Sequence, residues 1–135
     1  MAKKSAIITG STVAALVAAL DAFFAAHPTA IYTSFDLVAT EMVRTIGLDL
    51  AVAIGYDDAG GNDLTLTPIT SHAFLTTSAE ALGTQADTYI AANPARWYKG
   101  PWIGWMNQVR RSEGWFGLML TSAGVTATVD ANWTC

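Results

Sequence analysis

A chain of 135 residues has the size of one domain and is long enough to bury a core. Charged side chains make up only 13% of it, against about 25% in an ordinary soluble domain, and its net charge is −4. That balance excludes general nucleic-acid binding, which requires a basic footprint. The single cysteine, Cys135, excludes an internal disulfide and a cysteine-built metal site.

Ala6, Ile7 and Ile8 form a short apolar start that suits an edge strand. Gly10, Ser11 and Thr12 then offer N-cap chemistry, because a hydroxyl accepts from the free amides of the next helical turn. Val13, Leu16, Val17, Leu20, Phe23 and Phe24 recur at helical spacing, alanine fills most other positions, and His27-Pro28 stops the run. The segment is too short for a membrane span, which needs about 20 mostly apolar residues, and it carries Asp21. Lys3 and Lys4 do not open a secretory signal, since Thr9, Gly10, Ser11 and Thr12 interrupt the apolar stretch that such a signal requires. The expectation is a cytoplasmically made chain. The run Ala6-Ile7-Ile8-Thr9-Gly10-Ser11 resembles the opening of a short-chain dehydrogenase, where a strand leads into a glycine-rich cofactor loop. The later glycines of that loop are absent, because Val13, Ala14, Ala15 and Leu16 come next, so no cofactor is expected.

After Pro28-Thr29, a brief strand through Ile31, Tyr32 and Thr33 precedes a second expected helix. Ser34 would cap it, and Phe35, Val38, Ala39, Met42, Val43 and Ile46 supply three- and four-residue steps. Asp36 and Arg44 suit its dipole and Gly47 its end. A strand through residues 32–38 is the alternative. Residues 48–56 alternate, with Leu48, Leu50, Val52, Ile54 and Tyr56 on one face and Asp49, Ala51, Ala53 and Gly55 on the other. The second face is small rather than charged, which suits a sheet covered on both sides. Asp57, Asp58, Gly60, Gly61, Asn62 and Asp63 mark a turn, with Leu64 and Leu66 on the return strand of a hairpin that Pro68 ends. The acidic loop lacks calcium-loop spacing and a closing glutamate, so it reads as a solvated tip.

Thr77-Ser78-Ala79-Glu80 is a capping-box pattern opening a third helix, whose buried stripe is Ala79, Leu82, Ala86, Tyr89 and Ile90 and which ends near Asn93-Pro94. His27 and His72 have no partner at metal-ligand spacing and read as structural or surface residues. Gly100-Pro101 forces a turn. Strands at 102–109 and 115–121 flank a loop containing Arg110 and Arg111, and 125–131 closes an antiparallel meander, with Trp133 pinning the last residues to the body. The fold class is therefore α+β, with three helices packed on one face of a mostly antiparallel sheet built from two hairpins.

Residues 95–117 concentrate Trp97, Tyr98, Trp102, Trp105, Arg110, Arg111, Trp115 and Phe116. Three readings stay open for them: core beneath a sheet, a protein–protein contact rich in hot-spot residue types, or a stacking surface for a sugar or single-stranded nucleic acid. No G-x-S-x-G elbow, phosphate loop or H-E-x-x-H is present, the carboxylates are scattered, and a cysteine nucleophile would have to be Cys135 at a frayed end. An enzyme is the less expected class. A skin poor in charge, in a chain rich in Ala, Thr and Gly, points to burial against other copies or other assembly proteins. In composition the whole chain is similar to tailed-phage virion proteins of tail, neck or baseplate type, a likeness that implies no particular site residues.

Overall fold

The computed structural model describes residues 3–10, 12–28, 30–42, 47–57, 69–76, 78–105, 115–123, 129 and 133–135, without the side chains of 38–42, 47–49 and 105. Its elements are β1 (Lys3–Gly10), α1 (Val13–Ala26), β2 (Ile31–Met42), β3 (Gly47–Asp57), β4 (Thr70–Thr76), α2 (Ala79–Ala92), β5 (Trp97–Trp105) and β6 (Trp115–Ser122). They form two three-stranded antiparallel sheets, sheet A in the order β1-β3-β2 and sheet B in the order β4-β6-β5. The chain thus runs twice through strand, helix, strand, strand, and the third strand of each unit takes the centre of its sheet.

The class is α+β, but three helices on a single sheet of two hairpins is corrected: among the described residues there are two helices and two sheets. The segment expected as a helix from Phe35 is the strand β2. Tyr32 and Phe35 both face the core although they are three residues apart, because a bulge between Tyr32 and Ser34 adds one residue. That bulge imitates a helical step. Past it the period is two, with Phe35 buried, Asp36 exposed and Leu37 half-buried. Gly55 makes room opposite, since a Cβ there would lie 2.5 Å from Ser34 Oγ.

The expected pairing of the strand from Trp102 with the strand from Trp115 is present as β5 and β6, whereas the other edge of each central strand is taken by a strand not expected there. The central strand β3 is bonded to β1 and β2, and β6 to β4 and β5, so each has both edges taken. The return strand at Leu64 and Leu66 and the closing strand at 125–131 lie outside the described residues, apart from buried Val129. The antiparallel pairing of β1 likewise departs from the parallel sheet of a dehydrogenase.

α1 forms where its spacing predicts. Thr12 Oγ1 accepts from Ala15 N at 3.0 Å, a cap worth about 1 kcal/mol, while Leu16, Leu20 and Phe24 are buried at four-residue steps. Each fully buried side chain contributes about 1.5–3 kcal/mol, so packing rather than capping holds the helix. α2 is capped by Ser78, whose Oγ accepts from Ala81 N at 3.3 Å. The cap is one residue later than a box from Thr77 to Glu80 requires, and Glu80 sits in the first turn.

One core unites the halves. It takes Leu16, Leu20 and Phe24 from α1, Leu50, Val52, Ile54 and Tyr56 from β3, and Phe116, Leu118 and Leu120 from β6. The sheets meet where β2 approaches β5, with Phe35 and Trp102 rings 4.2 Å apart, and α1 fills the opposite side between β1 and β4. Trp133 seals one end against Tyr32, Phe24, Phe35 and Trp97. Thr134 N donates to Tyr32 O at 2.9 Å, so these residues are held against β2 rather than frayed. A second, smaller core of Phe74, Leu82, Ala86 and Met119 lies between α2 and the other face of sheet B.

Asp21 joins the halves chemically. Its Oδ1 accepts from Ser71 N and from Ser71 Oγ, both at 2.7 Å, so a carboxylate on α1 satisfies the backbone of the edge strand β4. Asp21→Ala should destabilise the fold by about 2–3 kcal/mol, because charged hydrogen bonds are lost and a buried amide is left without its acceptor. Urea denaturation measures this, and an unchanged midpoint would remove the bond as the tie between the sheets.

Candidate functional site

The aromatic segment does not gather on one surface. Trp97 and Phe116 are buried and Trp102 is half-buried in the shared core. Tyr98 and Trp115 face the opposite side of sheet B and pack against the smaller core. Tyr98 OH donates to Asn93 O at 2.5 Å. A bulge between Lys99 and Trp102, at the cis Gly100-Pro101 bond, lets the strand continue through the expected turn and returns Trp102 to the inner face. Gly100 has φ +99°, where a side chain would be strained and a Cβ would meet the Trp102 ring. Trp105 ends β5, with its side chain outside the described residues, as are Arg110 and Arg111. Buried Trp97 and Phe116 present no face to a partner in this fold.

The surfaces that stay open are elsewhere, and the repeated topology picks them out. Thr12, Leu16, Asp21 and Pro28 of the first unit correspond in sequence to Ser78, Leu82, Asp87 and Pro94 of the second, and Ser5 and Ile7 of β1 to Ser71 and Ala73 of β4. Ser5 pairs with Gly55 as Ser71 pairs with Leu120. In each unit the helix covers one sheet face. The back of sheet B, formed by Ser71, Ala73, Leu75, Phe116, Leu118 and Leu120, is then covered by α1 and sheet A. The back of sheet A is not covered by any described helix or strand. It presents Ser5, Ile7 and Thr9 on β1, half-buried Ala51, Ala53 and Gly55 on β3, and Ser34 and Asp36 on β2. Ile7, directly across from Ala53, is 65% exposed. Among the described residues, then, the small face of β3 has no covering element.

A concavity of about 440 Å³ lies on the outer side of sheet B, where His72 and Phe74 meet Thr84, Gln85, Thr88, Tyr89 and Ala92 of α2. His72 stacks on Tyr89 with centroids 4.0 Å apart and planes at 8°. Among the described residues, no Asp, Glu, Lys or Arg lines this groove. Burial lowers the His72 pKa below that of a free imidazole, and burial followed by the nearby Tyr98 raises that of Tyr89. Sequence reasoning passes over this groove because His72 and Tyr89 sit on different elements. The signal that points to it is the alternation of Thr70, His72 and Phe74 along one face of β4.

Among the described residues, no group of three or more His, Cys, Asp or Glu side chains is placed to hold a metal ion, and no described helix is long and apolar enough to cross a membrane. Burial also raises the Cys135 thiol pKa, which lowers its thiolate fraction.

The His72 shift gives a pH dependence with a definite sign. The unfolded chain takes up the proton first as pH falls, so folded stability declines below about pH 6.5. His72→Phe should reduce that decline, read as the difference between urea midpoints at about pH 7 and about pH 5. An identical decline in the variant would dissociate His72 from it.

Comparison with protein-family models, curated proteins and solved structures found no match to this chain.

Proposed function

We propose that the protein is non-enzymatic and works by self-association, as a component of a larger assembly such as a phage virion. The carrying observation is the back of sheet A, a face that no described helix covers, of small side chains around exposed Ile7, with Lys3, Asp36 and the buried Asp57 opposite Lys3 as the ionisable residues among its described side chains. The corresponding face of sheet B packs into the shared core, with Phe116, Leu118 and Leu120 buried and Ala73 and Leu75 half-buried. A stable oligomer needs such a surface on each copy, poor in charge and shaped to exclude water.

α1 supports the same reading. Its exposed residues are Ala14, Ala15, Ala18, Ala22, Ala25 and Ala26, and its one ionisable group, Asp21, is engaged by Ser71. A water-facing helix ordinarily carries charge on that side. α2 does so, exposing Glu80, Gln85 and Asp87.

The His72–Tyr89 groove favours a second reading, a module for a neutral planar ligand, since aromatic walls with a neutral polar rim suit a stacked ring. Tryptophan emission, sensitive to Trp115 in the adjoining core, should shift during titration with sugars if that reading holds.

Sedimentation velocity over a concentration series tests the first reading. The expected result is a species larger than one chain whose fraction rises with concentration. A single 14.3 kDa species at every concentration would reject self-association.

A further inference from the structure

The flank of the first unit's helix packs on the second unit's sheet, and the same relation is left incomplete at both ends of the molecule. We infer that it continues between copies: the Asp87 flank of α2 in one copy packs on β1 and the back of sheet A in a second copy, as α1 packs on β4 within the chain. This rests on the self-association proposed above and assigns it two surfaces.

The intramolecular contact supplies the pattern. On α1, Asp21 Oδ1 accepts from Ser71 N and Oγ, and Val17 O accepts from Ser71 Oγ at 3.4 Å. The corresponding pair is Asp87 on α2 and Ser5 on β1, both exposed. Neither side chain has a hydrogen-bond or ion-pair partner among the described residues. An exposed aspartate or serine alone signifies nothing. Here they are the two halves of a contact that the chain already makes, at matching helix and strand positions and on the same face of an edge strand, one at each end of the molecule.

Bulk and charge fit the same docking. Val17 corresponds to Gly83, where an added Cβ would meet nothing within 4 Å. Ala73 corresponds to Ile7, so volume removed from the helix returns on the strand. Buried Ile69 corresponds to exposed Lys3, which brings a cation towards Asp87 of the neighbouring copy. Nor is the relation closed within one chain, because α2 makes no contact with β1 comparable to that of α1 with β4. Joining one end to the other end of the next copy is a heterologous contact, which generates a ring or an open filament.

Two arginine variants test this as a pair. Ile7→Arg blocks the strand end and Asp87→Arg the helix end, and both positions are exposed, so circular dichroism should show native folding. Each variant alone should sediment as a monomer. Mixed in equal amounts they should form a heterodimer and nothing larger, because each retains the end the other lacks. If wild-type protein is monomeric throughout, self-association falls and this inference with it. If wild type assembles but either variant assembles equally well, or the mixture stays monomeric, the docking is overturned while self-association stands on another surface. Should an arginine variant fail to fold, a Ser5→Cys/Asp87→Cys double variant in a Cys135→Ser background decides. Oxidation should give a covalent ladder on a non-reducing gel, with no species above dimer for either single-cysteine variant, and monomer alone from the double variant overturns the docking.

Discussion

Two hydrogen bonds to one carboxylate oxygen set the relation between the halves of this protein. β4 is the outer strand of its sheet, and the donors along an outer strand must be bonded to something other than a neighbouring strand. Asp21 meets the Ser71 amide and hydroxyl together at 2.7 Å. It is the sole ionisable residue in a helix otherwise made of Ala, Val, Leu and Phe, and it therefore fixes the helix rotation. With Asp21 on the β4 edge, Leu16, Leu20 and Phe24 turn into the shared core and the alanines turn outward. A helix that is apolar nearly all round would otherwise have several comparable ways to pack.

The two units consequently have unequal surroundings despite a common topology. The first unit's helix packs against strands of both sheets, and the second unit's helix packs on one. Residue choice reflects this difference. Phe116, Leu118 and Leu120 line the covered back of sheet B, and half-buried Ala51, Ala53 and Gly55 stand in the back of sheet A, which no described element covers. The outer helix carries Glu80 and Asp87 where the inner one has Ala14 and Asp21. The low charge of the chain is concentrated in one helix whose exposed side is alanine and in one sheet face of small side chains.

Helix boundaries and the central strands are legible wherever local chemistry decides them. Thr12 and Pro28 bound α1, Asn93 and Pro94 end α2, and the alternation from Leu50 to Tyr56 marks a half-buried strand. β2 reads as a helix because one inserted residue between Tyr32 and Ser34 gives an inward pair the three-residue spacing of a helix. The β5–β6 pairing is legible as two strands flanking one loop, whereas the pairings of β3 with β1 and of β6 with β4 are not, since those partners lie far away in sequence beyond a helix. The tryptophans draw attention by residue type, whereas strand parity and the Gly100-Pro101 bulge decide which side of sheet B each occupies. The correspondence of the two helices, through Leu16 and Leu82, Asp21 and Asp87, Pro28 and Pro94, is readable in the sequence and identifies more of the candidate surface than the aromatic cluster does.

The shared core also orders events during synthesis. α1 and β3 leave the ribosome well before β6, yet Phe116, Leu118 and Leu120 complete the apolar packing around them. At about 5–20 residues per second, the N-terminal half waits on the order of seconds for its cover. During that interval the nascent chain shows water the side of Leu16, Leu20 and Phe24 that the finished protein encloses. Crowded translation therefore exposes this protein to mispairing with its own unfinished neighbours, a hazard that slower initiation or a holding chaperone would reduce.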